Sequence, residues 1–289
     1  MTQLVDLHMH TNASDGQYKP NEVVDQAITK GLKAIAITDH DTISGAELAI
    51  KYAKDKDIEV IAGIEISCLE KSDVEIHILG LFLDIKNTEL NKFCENAKKQ
   101  RILQKKKMIT KLQDIGFDIT YEEVLALTNY SFGRPHIAQI LMKKYPDEFP
   151  DTKTVFDKYL GTGKPAFFQR ETKVNLLEAI SRIKAAGGIP ILAHPGVYGK
   201  STFELIEYFA KLGGEGIETH YPYDLINGLS KEENNQLNNS LKEYAKQHNL
   251  IESGGSDFHG DIRKSVQIGQ IAVPYELVEK MKQHLSKKA

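Results

Sequence analysis

Near its start the chain reads Asp6-Leu7-His8-Met9-His10. Side chains two apart in an extended segment project from the same face, so His8 and His10 can converge on one cation. Asp15 follows in Ala13-Ser14-Asp15-Gly16. The same residue types return at wide spacing: His40 in Thr38-Asp39-His40-Asp41, Glu65 in Gly63-Ile64-Glu65, His77 in Glu75-Ile76-His77, His194 in Ala193-His194-Pro195, and Asp257 with His259 in Gly255-Ser256-Asp257-Phe258-His259. Alone, each of these reads as readily as a satisfied polar side chain. Together they form a donor set of His, Asp and Glu without Cys, which suits Zn²⁺, Mn²⁺ or Fe²⁺ and is too large for one ion. Two or three divalent ions, with Glu65 as a bridge, fit the number. Such clusters lower the pKa of a bound water from about 15.7 to about 7 and neutralise charge on phosphoryl oxygens, so a phosphoester is the natural substrate.

These residues sit on or just after short apolar runs: Leu4 to Met9, Ala34 to Thr38, Val60 to Ile66, Glu75 to Leu83, Ile189 to Ala193, Gly216 to Thr219, Ile251 to Ser253 and Ile268 to Val273. Helical patterns alternate with them, a βαβ rhythm that implies mostly parallel strands. Runs such as Ala34-Ile35-Ala36-Ile37 are apolar throughout, as expected of strands buried on both faces. In a barrel of this kind the strand ends form one rim, where residues remote in sequence meet. Helix signals include Pro20 ahead of Asn21 to Lys30, and Asn175 to Ala186 closed by Gly187-Gly188. Between about Lys86 and Thr172 the rhythm gives way to amphipathic helical patterns, Glu89 to Gln113 and Arg134 to Lys144. The expected architecture is an α/β barrel over residues 1–85 and 173–289, with a helical insertion at 86–172 that contributes to the substrate pocket.

Composition agrees with a globular enzyme. The 289 residues carry 37 Lys+Arg against 40 Asp+Glu, ten His and two Cys, a net charge of −3 that argues against wholesale attraction to nucleic acid or membranes. No apolar run of about 18 residues and no signal-peptide pattern is present, so a cytoplasmic protein without membrane contact is expected. Cys68 and Cys94 lie outside any CxxC pattern and need no bridge. No motif implies a stable protein partner.

Taken in order, the quoted motifs resemble the PHP (polymerase and histidinol phosphatase) family of the amidohydrolase superfamily. The resemblance implies a distorted (β/α)7 barrel with a metal cluster on its rim. It assigns one site to His8, His10, Glu65 and Asp257, a second to Glu65, His77 and His194, and a third to Asp15, His40 and His259. Asp-Leu-His-x-His-x-x-x-Ser-Asp-Gly, with Arg134-Pro135-His136 in the inserted region, is similar to a smaller branch. That branch holds nucleoside 3′,5′-bisphosphate phosphatases and the short-RNA 5′→3′ exonuclease RNase AM. It implies a small phosphorylated nucleotide or short RNA as substrate, with Mn²⁺ as the working ion and Zn²⁺ or Fe²⁺ as alternatives. Phosphatase action on another phosphomonoester, such as histidinol phosphate, and a non-catalytic metal-binding module are the competing readings.

By the same resemblance, Arg134 and His136 become phosphate-binding candidates; the residues alone read as a helix start with Pro at its first turn. Arg134 offers the planar fork that suits two phosphate oxygens. His194, besides its place in the second site, and His220, at the end of the sixth run, are the catalytic candidates, His220 as donor of a proton to the leaving alcohol. Glu218 shares a strand face with His220 and reads as an orienting or paired group. Lys164 in Gly161-Thr162-Gly163-Lys164 lacks the spacing of a phosphate loop. The basic stretch from Lys98 to Lys111 reads as the solvated face of a long helix in preference to an RNA track.

Overall fold

The structure, a computed structural model, describes residues 3–70, 74–127, 132–169, 174–261 and 265–288. The chain divides into two compact units, Met1–Cys94 with Lys173–Ala289, and Glu95–Thr172.

The first unit is built on one eight-stranded sheet: β1 (Leu4–Met9), β2 (Ala34–Ile37), β3 (Glu59–Leu69), β4 (Glu75–Leu81), β5 (Ile189–Leu192), β6 (Gly216–His220), β7 (Ile251–Gly254) and β8 (Val273–Pro274), in the order β7-β6-β5-β4-β3-β2-β1-β8. β2 and β5 are buried along their whole length, as their unbroken apolar sequences require. The sheet curls to near closure because the chain leaving β7 returns to β1: Met9 pairs with Phe258, the Asp257 N–H donates to His8 O at 2.9 Å and the His10 N–H to Phe258 O at 2.9 Å. Asp6 clasps this seam. It is fully buried and accepts from Ser256 N–H (2.9 Å), Ser256 Oγ (2.6 Å) and Gly269 N–H (3.0 Å). Gly255 is required there, since a Cβ on it would lie 2.4 Å from the His8 nitrogen.

Around the sheet lie α1 (Pro20–Thr29), α2 (Ser44–Ala53), α7 (Leu176–Ala185), α8 (Thr202–Lys211), the short α9 (Tyr223–Ile226), α10 (Lys231–Gln247) and α11 (Glu276–Ser286). Their caps follow the sequence. Asn175 Oδ1 accepts from Glu178 N–H at the start of α7, and Ser230 with Glu233 forms a reciprocal capping box on α10.

The strands are mostly parallel, as expected, with two exceptions: β4 runs antiparallel to both β3 and β5, and β8 antiparallel to β1. One expectation is corrected: the last strand is shorter than Ile268 to Val273. Gly269 turns there at φ +71° and spends its N–H on Asp6, while Ile268 is buried in the core.

The second unit holds most of α3 (Thr88–Ile115), then α4 (Tyr121–Leu125), α5 (Arg134–Lys144) and α6 (Thr152–Val155), the last continued by a π-helical turn at Phe156–Leu160. It has its own core, in which Met108, Leu112, Phe132, Ile137, Leu141, Phe149 and Leu160 are buried. Each such side chain contributes about 1.5–3 kcal/mol relative to exposure. Among the described residues no helix is long and apolar enough to cross a membrane.

Candidate metal centre

The end of β1 delivers His8 and His10, both fully buried, with their Nε2 atoms 3.2 Å apart. β3 brings Glu65 opposite them. Its Oε2 lies 3.5 Å from His8 Nε2, 3.2 Å from His10 Nε2 and 3.1 Å from His40 Nδ1. Its Oε1 lies 2.9 Å from His77 Nδ1 and 3.0 Å from His194 Nε2. One carboxylate therefore serves two groups of imidazoles with its two oxygens. Asp257 Oδ1 completes the first group, 3.5 Å from His8 Nε2 and 3.2 Å from His10 Nε2.

The reversal of β4 explains how His77 reaches this rim. The parallel strands arrive with their C-terminal ends, whereas β4 contributes its beginning, and His77 pairs with Ser67 near the end of β3. His40 follows β2, where it bridges to Glu65 and Asp41 N–H donates to Glu65 O at 2.8 Å. Asp15 and His259 meet at 3.4 Å, Asp15 lies 4.0 Å from His40 Nε2, and His10, Asp15, His40 and His259 can all turn donor atoms toward one point. The nine expected ligands are thus brought together. His40 faces both Glu65 and Asp15, and His10 borders both the first and third groups. Solvent reaches the centre at Asp15, His40 and His77, which are 15%, 11% and 21% exposed, while His8 and His10 are sealed.

The donor set fits divalent cations. Ligand atoms about 2.0–2.2 Å from a tetrahedral ion stand about 3.3–3.6 Å from one another, close to the spacing among His8, His10, Glu65 and Asp257. His10 Nδ1 and His194 Nδ1 are buried without a hydrogen-bond partner. Backbone strain is concentrated here too. His194 (φ +32°), Asp257 (φ +53°) and neighbouring Asp41 (φ +55°) occupy a left-handed region that costs a residue other than glycine about 1–3 kcal/mol.

Three buried residues orient the donors. Glu218 accepts from His8 Nδ1 at 3.0 and 3.1 Å and from His194 N–H at 2.7 Å. In neutral His8 this puts the proton on Nδ1 and leaves the Nε2 lone pair for the centre. Asp39 accepts from Thr11 N–H (2.8 Å), Thr11 Oγ1 (2.7 Å) and Ser14 Oγ (2.6 Å), fixing the loop that carries Asp15. Tyr221 donates to Asp257 Oδ2 at 2.8 Å, so that Oδ1 alone turns to the histidines. Sequence reasoning gave Asp39 and Tyr221 no role, and read Glu218 as orienting His220 or forming a buried pair, where its partner is His8. Glu218 had a signal, a charged residue inside a strand; Tyr221 had none. Glu218→Gln should weaken metal binding about 10- to 100-fold in a chelator-competition titration, because glutamine can place its amide rather than an acceptor against His8.

His220 is not brought in. The β6–β7 register shifts between Glu218 and His220, the His220 ring meets Thr219 Oγ1 at 2.9 Å, and the charges acting on it are those of Lys242 and Glu252. Burial first, and Lys242 second, push its pKa down. Arg134 and His136 belong to the second unit. Arg134 is half-buried, its guanidinium 5.6 Å from the Phe156 ring and 5.8 Å from the Phe167 ring, with Nη1 3.5 Å from Leu160 O. His136 is buried and its Nδ1 accepts from Gly133 N–H at 3.0 Å.

Electrostatically the centre calls for positive charge. Burial pulls His10 down, but hydrogen bonds to Asp257 and Glu65 and the charges of both outweigh it and hold the imidazole at about 9. His77 is held at about 10 by Glu65 and Glu75 against the same burial. Burial pushes Glu65 and Asp15 up, yet the surrounding imidazoles hold both well below the usual carboxylate range. His10 and His77 thus bind protons more tightly folded than unfolded, where the pKa is about 6.5. Their contribution to the metal-free chain is complete below about pH 6.5 and is lost as pH rises through about 9 and 10. Metal ions compete with those protons. Chelator-treated protein should therefore lose Tm steadily from pH 6.5 to 10, and Mn²⁺-loaded protein should not. Parallel curves would mean that metal does not replace these protons.

A family model described as the PHP domain matches residues 6–169. A 5′-3′ exoribonuclease of Haemophilus influenzae is 36% identical over 262 residues, covering 90% of this chain and 91% of that one. A 3′,5′-nucleoside bisphosphate phosphatase of Chromobacterium violaceum is 30% identical, covering 88% and 87%. A solved structure from Bifidobacterium adolescentis, proposed there to be a metal-dependent phosphoesterase, superposes with a TM-score of 0.82 at 27% identity over 96% of this chain and 95% of that one. With its model matched over more than half of the chain and relatives aligned along nearly all of it, the chain belongs to the PHP family.

Proposed function

We propose that this metal-dependent phosphoesterase removes phosphate from small nucleotides bearing two phosphates, converting a nucleoside 3′,5′-bisphosphate to the 5′-monophosphate, and acts on the 5′ end of short RNA. The observation that carries the reading is the division of Glu65, one oxygen toward His8, His10 and His40 and the other toward His77 and His194. A carboxylate so placed suits adjacent cations that share one phosphoester. The names of the relatives from Haemophilus influenzae and Chromobacterium violaceum point to the nucleotide class.

In this proposal His8, His10, Glu65 and Asp257 hold one ion, Glu65, His77 and His194 a second, and Asp15, His40 and His259 a third. Divalent ions there, Mn²⁺ in function, supply Lewis-acid neutralisation of the phosphoryl oxygens. Glu218 holds the His8 proton on Nδ1 and Tyr221 keeps Asp257 turned by one oxygen. Arg134 takes two phosphate oxygens; no carboxylate among the described residues pairs with it, and the rings of Phe156 and Phe167 limit its swing. His136, buried with its Nδ1 accepting from Gly133 N–H, is the second side chain assigned to that phosphate. His220, set apart from the ligands, takes no part. The two buried, unbridged cysteines suit a reducing compartment, the cytoplasm.

The test is phosphate release by Mn²⁺-loaded protein from nucleoside 3′,5′-bisphosphates, short 5′-phosphorylated RNAs and histidinol phosphate. Preference for histidinol phosphate would sink the nucleotide reading, and chelator-insensitive release would sink the metal role. Arg134→Lys should retain the metal content while lowering kcat/KM at least about 10-fold, since an ammonium cannot reproduce the two-pronged contact. An unchanged kcat/KM removes Arg134 from the phosphate site.

A further inference from the structure

The ring of His77 faces two carboxylates, one on each nitrogen. Nδ1 stands 2.9 Å from Glu65 Oε1, and Nε2 stands 3.4 Å from Glu75 Oε1. Glu75 precedes His77 by two residues on β4, so the alternation of the strand puts both side chains on one face. The His77 backbone is pinned on both its polar groups. Its carbonyl accepts from Ala193 N–H at 3.0 Å, and its N–H donates to the Tyr198 hydroxyl at 2.9 Å. An antiparallel neighbour would ordinarily make both bonds, but β5 ends at Leu192 and His194 turns away at φ +32°, so Tyr198 stands in for it. With the backbone held, what remains open is which ring nitrogen carries the proton.

We propose that Glu75 is a positioning residue for the second ion: by accepting from His77 Nε2 it leaves the Nδ1 lone pair for the cation beside Glu65 Oε1. This role rests on the preceding section's assignment of that ion to Glu65, His77 and His194. A neutral imidazole has one proton and one lone pair on its two nitrogens. Glu65 alone would draw the proton to Nδ1 and close the ligand position; Glu75 draws it to the opposite nitrogen. It does for His77 what Glu218 does for His8, with the nitrogens exchanged. Loss of such a partner weakens metal binding about 10- to 100-fold. Glu75 is 30% exposed where Glu218 is sealed, and its bond is 3.4 Å against 3.0 Å, so its effect belongs at the lower end of that range. A mere surface ion pair would act through charge alone. An orienting bond needs an acceptor oxygen, charged or not.

The experiment titrates Mn²⁺ into full-length, chelator-treated protein in competition with a fluorescent chelator, and counts bound ions by elemental analysis. His77→Ala should lose one ion per chain. Glu75→Ala should keep the wild-type count at saturation but bind one ion about 10-fold less tightly. Glu75→Gln, which keeps an acceptor oxygen and removes the charge, should stay within about 3-fold of wild type. In the His77→Ala background, Glu75→Ala should change the remaining affinities by less than about 2-fold, because it acts through that ring; a structural role in β4 would persist there. Wild-type affinities in Glu75→Ala, an equal loss in Glu75→Gln, or an undiminished loss in the double variant would each overturn the proposal. Full metal content in His77→Ala would remove the second ion and this role with it. No substrate is present, so the outcome is separate from turnover. Metal bound as expected by a protein that hydrolyses no nucleotide sinks the functional reading and leaves the role of Glu75 standing. Nucleoside bisphosphate hydrolysis with wild-type metal affinities in Glu75→Ala does the reverse.

Discussion

Glu65→Gln should lower phosphate release at least about 10³-fold and remove at least one metal ion per chain. The substitution keeps the volume of a side chain that is 1% exposed, so packing is not at issue. What changes is charge and donor polarity. Glu65 sets one oxygen 3.1–3.5 Å from three histidine nitrogens and the other 2.9–3.0 Å from two more. Glutamine can present an acceptor to only one of these groups and turns an N–H₂ toward the other. The loss of shared coordination removes several kcal/mol of charge stabilisation from the transferring phosphoryl group, and each 1.4 kcal/mol is about tenfold in rate. Steady-state kcat/KM and elemental analysis of the purified variant give the two readouts. Full metal content with wild-type turnover would show that the carboxylate does not bridge.

Asp6→Ala should destabilise the chain by about 3 kcal/mol or more, although Asp6 is not itself a ligand. Removing the carboxylate strands the N–H groups of Ser256 and Gly269 and the Ser256 hydroxyl at a buried seam, at about 1–3 kcal/mol for each group left unpaired. In a chain of this size that is a fall in Tm of about 6–12 °C. Burial pushes the Asp6 carboxyl up to about 6, against the donors that hold it down, so the group is mostly charged at pH 7.5. Asp6→Asn keeps one acceptor and should lose roughly half as much. Thermal melts with and without Mn²⁺ check both variants, and a change of less than about 2 °C in Asp6→Ala would mean that the seam is closed by other contacts.

Much of the centre was legible because its geometry is local to strand ends. His8 and His10 share a face by simple alternation, and His40, Glu65 and His194 follow or end apolar runs. The reversal of β4 also had a signal. Only residues 70–74 separate β3 from β4, too short a link for the crossover that parallel neighbours need. The same alternation misplaced His220, because a register shift beyond Glu218 breaks the period. Lys105 misled for the opposite reason. Its helical spacing from Met108 and Leu112 marks a buried position, but the ring that receives its ammonium, Phe132, lies well along the chain.

The seam between β1 and the segment after β7 also sets a timetable for synthesis. His8 and His10 leave the ribosome well ahead of Asp257 and His259. A growing chain can own most of its imidazoles and still lack the tetrad of His8, His10, Glu65 and Asp257 until the seam pairs. Completion of that tetrad and closure of the barrel become one event.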